Sequence, residues 1–241
     1  MTDTGSSAEQ RRTAETFDGY QTTYADAVNS AVAFTGVDVD FFTRVKADYI
    51  VELVEQEVGP ADQQSVLDVG CGIGNFHRLL QPAFANLSGV DVSAACIERA
   101  KGEHPEVSYK TYDGGRLPYD DASFDVAFTV CVMHHVPPAD WPTFASEMRR
   151  VLRPGGLAMV FEHNPLNPLT MRAVNNCPFD EDAVLLRSTK TVALYNDAGF
   201  DPVKRRFILS VPAANKPLRR VDQAFSWLPF GAQYYVTARR P

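Results

Sequence analysis

The residues whose types and spacing suit chemistry lie at the ends of short apolar runs. Val66-Leu67-Asp68-Val69 leads into Gly70-Cys71-Gly72-Ile73-Gly74. A glycine-rich turn between a strand and its helix lets a ligand approach the backbone, and the helix N-terminus offers unpaired N–H groups. The G-x-G-x-G spacing differs from the G-x-G-x-x-G of dinucleotide sites, because position 75 is Asn. Asp68, just before the glycines, suits a ligand carrying an ammonium group. Asp91 ends the next run, Gly89-Val90-Asp91-Val92, where a carboxylate can accept both hydroxyls of a ribose. Asp113, in Tyr112-Asp113-Gly114-Gly115 past a third run, can accept from the exocyclic amine of an adenine. Three imidazoles, His134, His135 and His163, follow two later runs. A group that ionises near pH ~6.5 suits proton removal at neutral pH. The four cysteines, Cys71, Cys96, Cys131 and Cys177, contain no C-x-x-C pair, and no ligand spacing points to a metal site. Buried, reduced thiols are the expectation.

These residues need a rigid frame, and the composition supplies one. Of 241 residues, 45% are hydrophobic and 22% charged, which excludes a chain disordered throughout. No apolar run approaches the ~18–20 residues of a membrane span. Met1–Arg12 is polar and lacks the apolar stretch of a signal peptide, so the cytoplasm is the expected location. The net charge of −7 argues against nucleic acid as the main partner. The balance is uneven: residues 203–241 carry eight Lys and Arg against Asp222 alone, so that segment is +7 and the first 202 residues are −14. A solvated sheet edge explains this, and arginines that meet an anionic substrate are the alternative.

Residues 1–13 read as a disordered tail and 14–60 as a helical cap, with helices over 14–29 and 40–58 ended by Gly59-Pro60. From 61 onward strands alternate with helices. Strands are expected at 65–69, 87–92, 107–112, 124–130 and 157–161. Helices are expected at 75–84, 93–102 (Ser93 as N-cap), 141–152 and 189–198. Residues 162–187 carry three prolines and read as a loop-rich insertion. The last two strands, 203–211 and 233–239, are joined by a stretch, 212–231, that reads as non-helical. The alternation implies a doubly wound parallel sheet, and the ending implies an antiparallel edge.

Together, VLDVGCGIG, GVDVS, DGGRLPYDDASFDVAFTVCVMHHV and LRPGGLAMV, in this order, resemble the class I S-adenosylmethionine-dependent methyltransferases of the small-molecule type. The likeness covers residues 65–160. It implies an α/β Rossmann-like fold with a seven-stranded, mostly parallel sheet in the order 3-2-1-4-5-7-6, the last strand antiparallel. It implies S-adenosyl-L-methionine as cofactor. Gly70, Cys71, Gly72 and Gly74 would then pass close to its methionine part, Asp91 and Val92 would meet the ribose, and Asp113 and Gly114 the adenine. Thr129, Val130 and Cys131 would form the floor. In related enzymes an N-terminal helix covers the cofactor. Tyr20 and Tyr24, four residues apart, share one helix face and would lay their rings over the sulfonium; ordinary packing of two tyrosines is the alternative.

Methyl transfer is an in-line displacement that needs alignment and, for a hydroxyl or amine, removal of a proton. His163 follows the fifth strand, where this fold places the acceptor, and is the candidate base. His134 and His135 are the other catalytic candidates, with a structural role in closing the cofactor pocket as the alternative. Asn164-Pro165-Leu166-Asn167-Pro168 invites comparison with the Asn-Pro-Pro-aromatic motif of DNA amino-methyltransferases, but that motif follows the fourth strand, and here the asparagines precede prolines in a turn. The acceptor pocket is expected from the N-terminal segment and the stretches 162–187 and 212–231, with Phe225, Trp227, Leu228 and Phe230 as an apolar wall. The expected reaction is methylation of a small molecule at a hydroxyl, as in tailoring of a natural product or glycan. N- or C-methylation, or a cofactor-binding partner protein without catalysis, stay open. No membrane partner is expected, and the chain would act as a monomer or homodimer.

Overall fold

The computed structural model describes residues 8–20, 23–212 and 215–241. Helices α1 (Ala8–Tyr20), α2 (Tyr24–Val32) and α3 (Val39–Glu57) come first. The sheet region follows as β1 (Ser65–Val69), α4 (His77–Leu80), β2 (Asn86–Asp91), α5 (Ala94–Glu103), β3 (Ser108–Thr111) and β4 (Phe124–Val130). It continues through α6 (Trp141–Val151), β5 (Leu152–His163), α7 (Pro168–Asn175), α8 (Ser188–Asp197), β6 (Val203–Ile208), α9 (Lys216–Ala224) and β7 (Gln233–Arg239). One seven-stranded sheet runs β3-β2-β1-β4-β5-β7-β6, with β7 antiparallel to both neighbours.

Strand alternation sorts the core into two layers. Val66, Val126, Phe128, Met159 and Phe161 face the side of α3, where Ile50, Leu53 and Val54 are buried. Leu67, Val69, Ala127, Ala158 and Val160 face α6 and α8 through Trp141, Phe144, Met148 and Tyr195. The same alternation gives His163 and its cross-strand partner Gln233 to the α3 side, and Glu162 to the other. Among the described residues no helix is long and apolar enough to cross a membrane.

Several expectations are corrected. Residues 8–13, assigned to a tail, belong to α1; Ala8-Glu9-Gln10-Arg11-Arg12 are strong helix formers without a breaker. The helix expected over 14–29 is divided between α1 and α2. The helix expected over 75–84 shrinks to His77–Leu80, because Pro82 lacks the N–H that a longer helix needs. Glycines 155 and 156 do not end the segment before the fifth strand: β5 already starts at Leu152, and its register against β4 jumps from Phe124↔Leu152 to Val126↔Leu157. The insertion at 162–187 carries α7, whose N-cap Asn167 accepts from Leu169 N and Thr170 N.

The connection 212–231, expected as non-helical, contains α9. Asn215 caps it by accepting from Leu218 N, and Pro217 sits in its first turn. Its polarity is inverted, which hid it from apolar periodicity: Arg219 and Asp222 are buried while Leu218, Val221 and the following Phe225 are exposed. Arg219 pairs with Asp48 (2.7 Å) and Glu52 (2.9 Å) of α3. Asp222 accepts from Tyr49 Oη (3.0 Å), Leu209 N (2.8 Å) and Ser210 N (2.7 Å). One carboxylate thus joins α9, α3 and the chain leaving β6. With Val211 N (3.3 Å) a fourth donor, Asp222→Ala would strand four donors in a mostly buried place, so stability should fall by about 3 kcal/mol. Urea denaturation checks this, and a change below about 0.5 kcal/mol would show the site to be replaceable by water.

Candidate functional site

The chain leaves β1 toward β2 and leaves β4 toward β5, on opposite sides, so the carboxyl ends of β1 and β4 form the crevice where open α/β sheets bind ligands. A cavity of about 140 Å³ opens there. The glycine turn shapes one wall, and each glycine answers a different need. Gly70 (φ 78°) lies where a Cβ would sit 2.5 Å from Val132 Cγ2, in the turn after β4. Gly72 (φ 53°) faces open space, so its backbone borders the cavity directly. Gly74 (φ 80°) serves packing instead, since a Cβ there would meet Tyr109 Oη at 2.8 Å. It is not among the residues lining the cavity.

Asp91 is buried at the end of β2. Its Oδ2 accepts from Gly72 N (2.8 Å) and its Oδ1 from Ser93 N (2.9 Å). Burial raises its carboxyl to about 6 against these hydrogen bonds. Asp68 is buried too and pairs through Oδ2 with His77 Nε2 at 3.1 Å; burial outweighs that partner and raises its carboxyl. His77 Nδ1 meets the Tyr109 hydroxyl in turn. Two carboxylates at the rim of one cavity create a place for a ligand with positive charge or several donors.

Of the expected cofactor residues, Asp68, Gly70, Cys71, Gly72, Asp91, Val92, Gly114, Val130 and Cys131 line the cavity. Asp113 does not; it is exposed, and its Oδ1 accepts from Gly115 N at 3.0 Å in its own turn. Thr129, expected in the floor, is buried behind it. The side chains of Tyr20 and Tyr24 lie outside the described residues. The lining also includes Phe17, Asn75, Phe76, Cys96 and Tyr112, which sequence reasoning missed. Phe17 comes from α1, which is fixed over α5 where Ser93 Oγ donates to Asp18 and Cys96 Sγ donates to Phe17 O (3.7 Å).

A second chamber, of about 400 Å³, adjoins the first. Phe17, Asn75, Phe76, Val130, Cys131 and His135 border both. Val28, Val32, Phe41, Phe42, Val174 and Phe179 give it apolar walls. Its rim reaches the surface at Leu169 and Phe230, which are 59% and 68% exposed. Of the expected acceptor wall, Phe230 lines the chamber; Trp227 is 71% exposed and, with Phe225 and Leu228, is not among its lining residues.

All three candidate histidines border this chamber. His134 is buried between carboxylates, with Nδ1 2.6 Å from Glu162 Oε2 and Nε2 3.6 Å from Asp180 Oδ1. Those carboxylates outweigh burial and hold His134 protonated well above the usual imidazole range. Both of its nitrogens are engaged, which leaves no lone pair to take a proton. His135 Nε2 lies 3.3 Å from Asp180, and its ring meets Phe17 edge-on at 5.0 Å. Burial and then the His134 charge push His135 down to about 4. His163 is half-buried, with Nδ1 3.5 Å from Gln233 Nε2. Burial, then the charge of His134, pushes it to about 4 as well. It is therefore a neutral imidazole at neutral pH, facing the chamber.

His134, His135 and Asp180 bring three ligand atoms within 4.8 Å of one another, which the sequence spacing did not reveal. His134 is already engaged by Glu162 and Asp180, and His135 by Asp180. The cluster reads as an ion-pair network. The four cysteines are free; Cys71, Cys96 and Cys177 are buried, and burial raises each thiol.

Residues 66–156 match the family model of the methyltransferase domain. The chain is 34% identical over 146 residues to an uncharacterized methyltransferase of Synechocystis, covering 59% of this chain and 69% of that one. It is 38% identical over 104 residues to the 2-methyl-6-phytyl-1,4-hydroquinone methyltransferase of the same organism, covering 42% of this chain but only 32% of that enzyme. The fold matches the crystal structure of an S-adenosylmethionine-dependent methyltransferase of Thermotoga maritima with a TM-score of 0.58 at 20% identity, over 83% of this chain and 98% of that one.

Ribose hydroxyls donate, so the ionised form of Asp91 is the one that would bind them. With its carboxyl at about 6, affinity for S-adenosylhomocysteine should fall as pH drops through that value, by up to about tenfold per pH unit for one proton. Asp91→Ala should remove this dependence and weaken binding about tenfold to a hundredfold. Calorimetric titrations on both sides of pH ~6 check both points; an affinity that neither pH nor the substitution moves would deny Asp91 a part in binding.

Proposed function

This chain belongs to the class I S-adenosylmethionine-dependent methyltransferases, and on that premise we propose that it methylates a hydroxyl of a small, largely apolar molecule held in the 400 Å³ chamber. The observation that carries the reading is the junction of two cavities of different character. One has buried carboxylates and a bare glycine backbone; the other has apolar walls, an apolar rim and a neutral imidazole. S-adenosyl-L-methionine, when bound, supplies a methyl group on a positively charged sulfur. Gly70, Cys71 and Gly72 would border its methionine part and Asp91 would hold its ribose. The fit rests on Gly72, whose backbone faces open space, and on the two carboxylates that burial raises.

The residues of the chain then have distinct tasks. Phe17 and the apolar walls exclude water from the junction, which strengthens every charge interaction inside. Glu162 and Asp180 fix His134, and burial, then the charge of His134, keeps His163 neutral. His163 takes the acceptor's proton. A second reading, methylation at a ring carbon activated by a hydroxyl, draws on the similarity to the hydroquinone methyltransferase and uses the same residues.

Incubation of the purified protein and labelled cofactor with lipophilic phenols, alcohols and amines tests the reading, and mass spectrometry of the product separates oxygen from carbon. No transfer to any hydroxyl-bearing acceptor would refute it. His163→Ala should lower kcat by about 10²–10⁴ and leave S-adenosylhomocysteine affinity nearly unchanged. The base works unprotonated, so kcat at saturating cofactor should stay level through neutrality and fall only as pH approaches about 4, a limb absent from the variant. If cofactor affinity collapses with kcat, His163 supports the pocket and has no chemical task of its own.

A further inference from the structure

Lys46 stands on α3 among apolar positions and is only 7% exposed, yet its ammonium borders the apolar chamber. Its Nζ lies 3.8 Å from Cys131 Sγ and 5.6 Å from the centroid of Phe76. Among the described residues no carboxylate lies within 4.0 Å of it, although buried ammonium groups are normally paired. The sulfur is a weak acceptor and the ring a modest partner. Burying a cation in this way is costly unless an anion completes the arrangement.

The position of that anion follows from the neighbours. Cys131 borders both cavities and has φ 56°, a left-handed conformation unusual for a residue with a Cβ. Gln233 Nε2 lies 3.9 Å from the same sulfur, on the opposite strand from His163. The groups facing this spot are Cys131 and His134 from beyond β4, His163 from the end of β5, Gln233 from β7 and Asp180 from the insertion. Asp180 is already shared between His134 and His135. An ammonium and an amide N–H₂ therefore converge on Cys131 Sγ, at a residue that borders both cavities, with no carboxylate within 4.0 Å of the ammonium among the described residues.

We propose that Lys46, with Gln233, is an oxyanion anchor, and that the acceptor carries an acidic hydroxyl, a phenol or an enol, bound there as its anion. The inference rests on the methyltransferase reading and narrows its substrate class. The hydroxyl proton passes by way of the His163 imidazole to bulk water, which leaves His163 neutral and the acceptor as its anion. An oxygen electron pair forms the bond to the methyl carbon, and the carbon–sulfur bond breaks with its pair going to sulfur. The products are a methyl ether and neutral S-adenosylhomocysteine, and Lys46 stays an ammonium throughout.

Relative acidities support the choice. His163, pushed down to about 4, is a weak base. An alkyl alcohol resembles water, with a pKa of about 15.7, and lies out of its reach. A phenol ionises near ~10, and a cation within about 4–6 Å lowers an acid by about 1–3 units. A protonated amine would be repelled by Lys46 and His134 together.

The probe is 4-nitrophenol, whose phenolate absorbs visibly, added to protein saturated with S-adenosylhomocysteine so that no transfer occurs. We expect the bound probe to ionise about 1–3 units below its value in buffer. Lys46→Met should abolish the shift and Lys46→Arg should retain part of it. With methyl donor present, phenols should be methylated and alkyl alcohols and amines not. Circular dichroism and unchanged S-adenosylhomocysteine affinity verify the fold of the variants, and Lys46→Gln replaces the methionine variant if that one is unfolded. An unshifted or unbound probe on protein that binds S-adenosylhomocysteine overturns the proposal and leaves the methyltransferase reading standing; so does a shift that survives loss of Lys46. Failure to bind S-adenosylhomocysteine at all counts against the methyltransferase reading instead.

Discussion

The carboxylate of Glu162 is the point on which the site depends. It is fully buried at the end of β5, accepts from Val132 N (3.1 Å) and Met133 N (2.8 Å), and pairs with His134. These partners, above all the His134 charge, keep it ionised below the usual range in spite of burial. Removing one member of such a pair leaves an uncompensated buried charge, which is why pairs of this kind fix geometry whatever their net worth in stability. Here the geometry fixed is the turn after β4. Trp141 Nε1 donates to Met133 O (2.9 Å), Val184 N donates to His134 O (2.9 Å), and Val132 presses against Gly70. One acid thereby sets the spacing between the turn that opens the cofactor cavity and the turn that separates it from the chamber.

The opposite wall is held by a second buried acid. Asp222 collects Tyr49 and the backbone leaving β6, and Arg219 collects Asp48 and Glu52, so α9 fastens α3 over residues 48–52. α3 in turn carries Phe41, Phe42, Thr43 and Lys46 into the chamber. With its polar residues spent inward, α9 shows Leu218, Val221 and Phe225 to solvent, in the same connection as Trp227 and Phe230. The exposed apolar surface by the rim is thus a consequence of how α3 is anchored.

What the sequence disclosed and what it withheld divide along a physical line. Strands buried on both faces and a glycine turn leave local signatures, so β1, β2, β4 and the crevice at their ends were legible, as was Asp91 at its strand end. The order of the strands followed from the family resemblance. Side chains that act across long separations leave no local mark. His77, Tyr109 and Asp68 meet only after β1, α4 and β3 are assembled, and this chain of contacts, with the room Gly74 gives it, could not be read from spacing. Asp113 looked like a ligand acid because it follows a strand, but an acid two residues before a glycine is equally suited to capping its own turn, and that is what it does. Lys46 sat inside an apolar periodicity as one more charged helix position; only its contact with Cys131, 85 residues along the chain, shows that it points inward.

Charge is distributed across the two cavities in a way that suits the proposed chemistry as a whole. The cofactor side presents Asp68 and Asp91, carboxylates that burial makes harder to ionise in the absence of a partner. The acceptor side presents the ammonium of Lys46 and the imidazolium of His134, the latter balanced by Glu162 and Asp180. A cationic ligand on the first side and an anionic one on the second would each relieve the charge that awaits it, and each would bind better with the other present, because opposite charges attract strongly across a dry junction. Transfer of a methyl group between them cancels both ligand charges at once. The products would then lack the attraction that would hold the reactants. The same field that would gather the two proposed reactants would therefore favour release of neutral products.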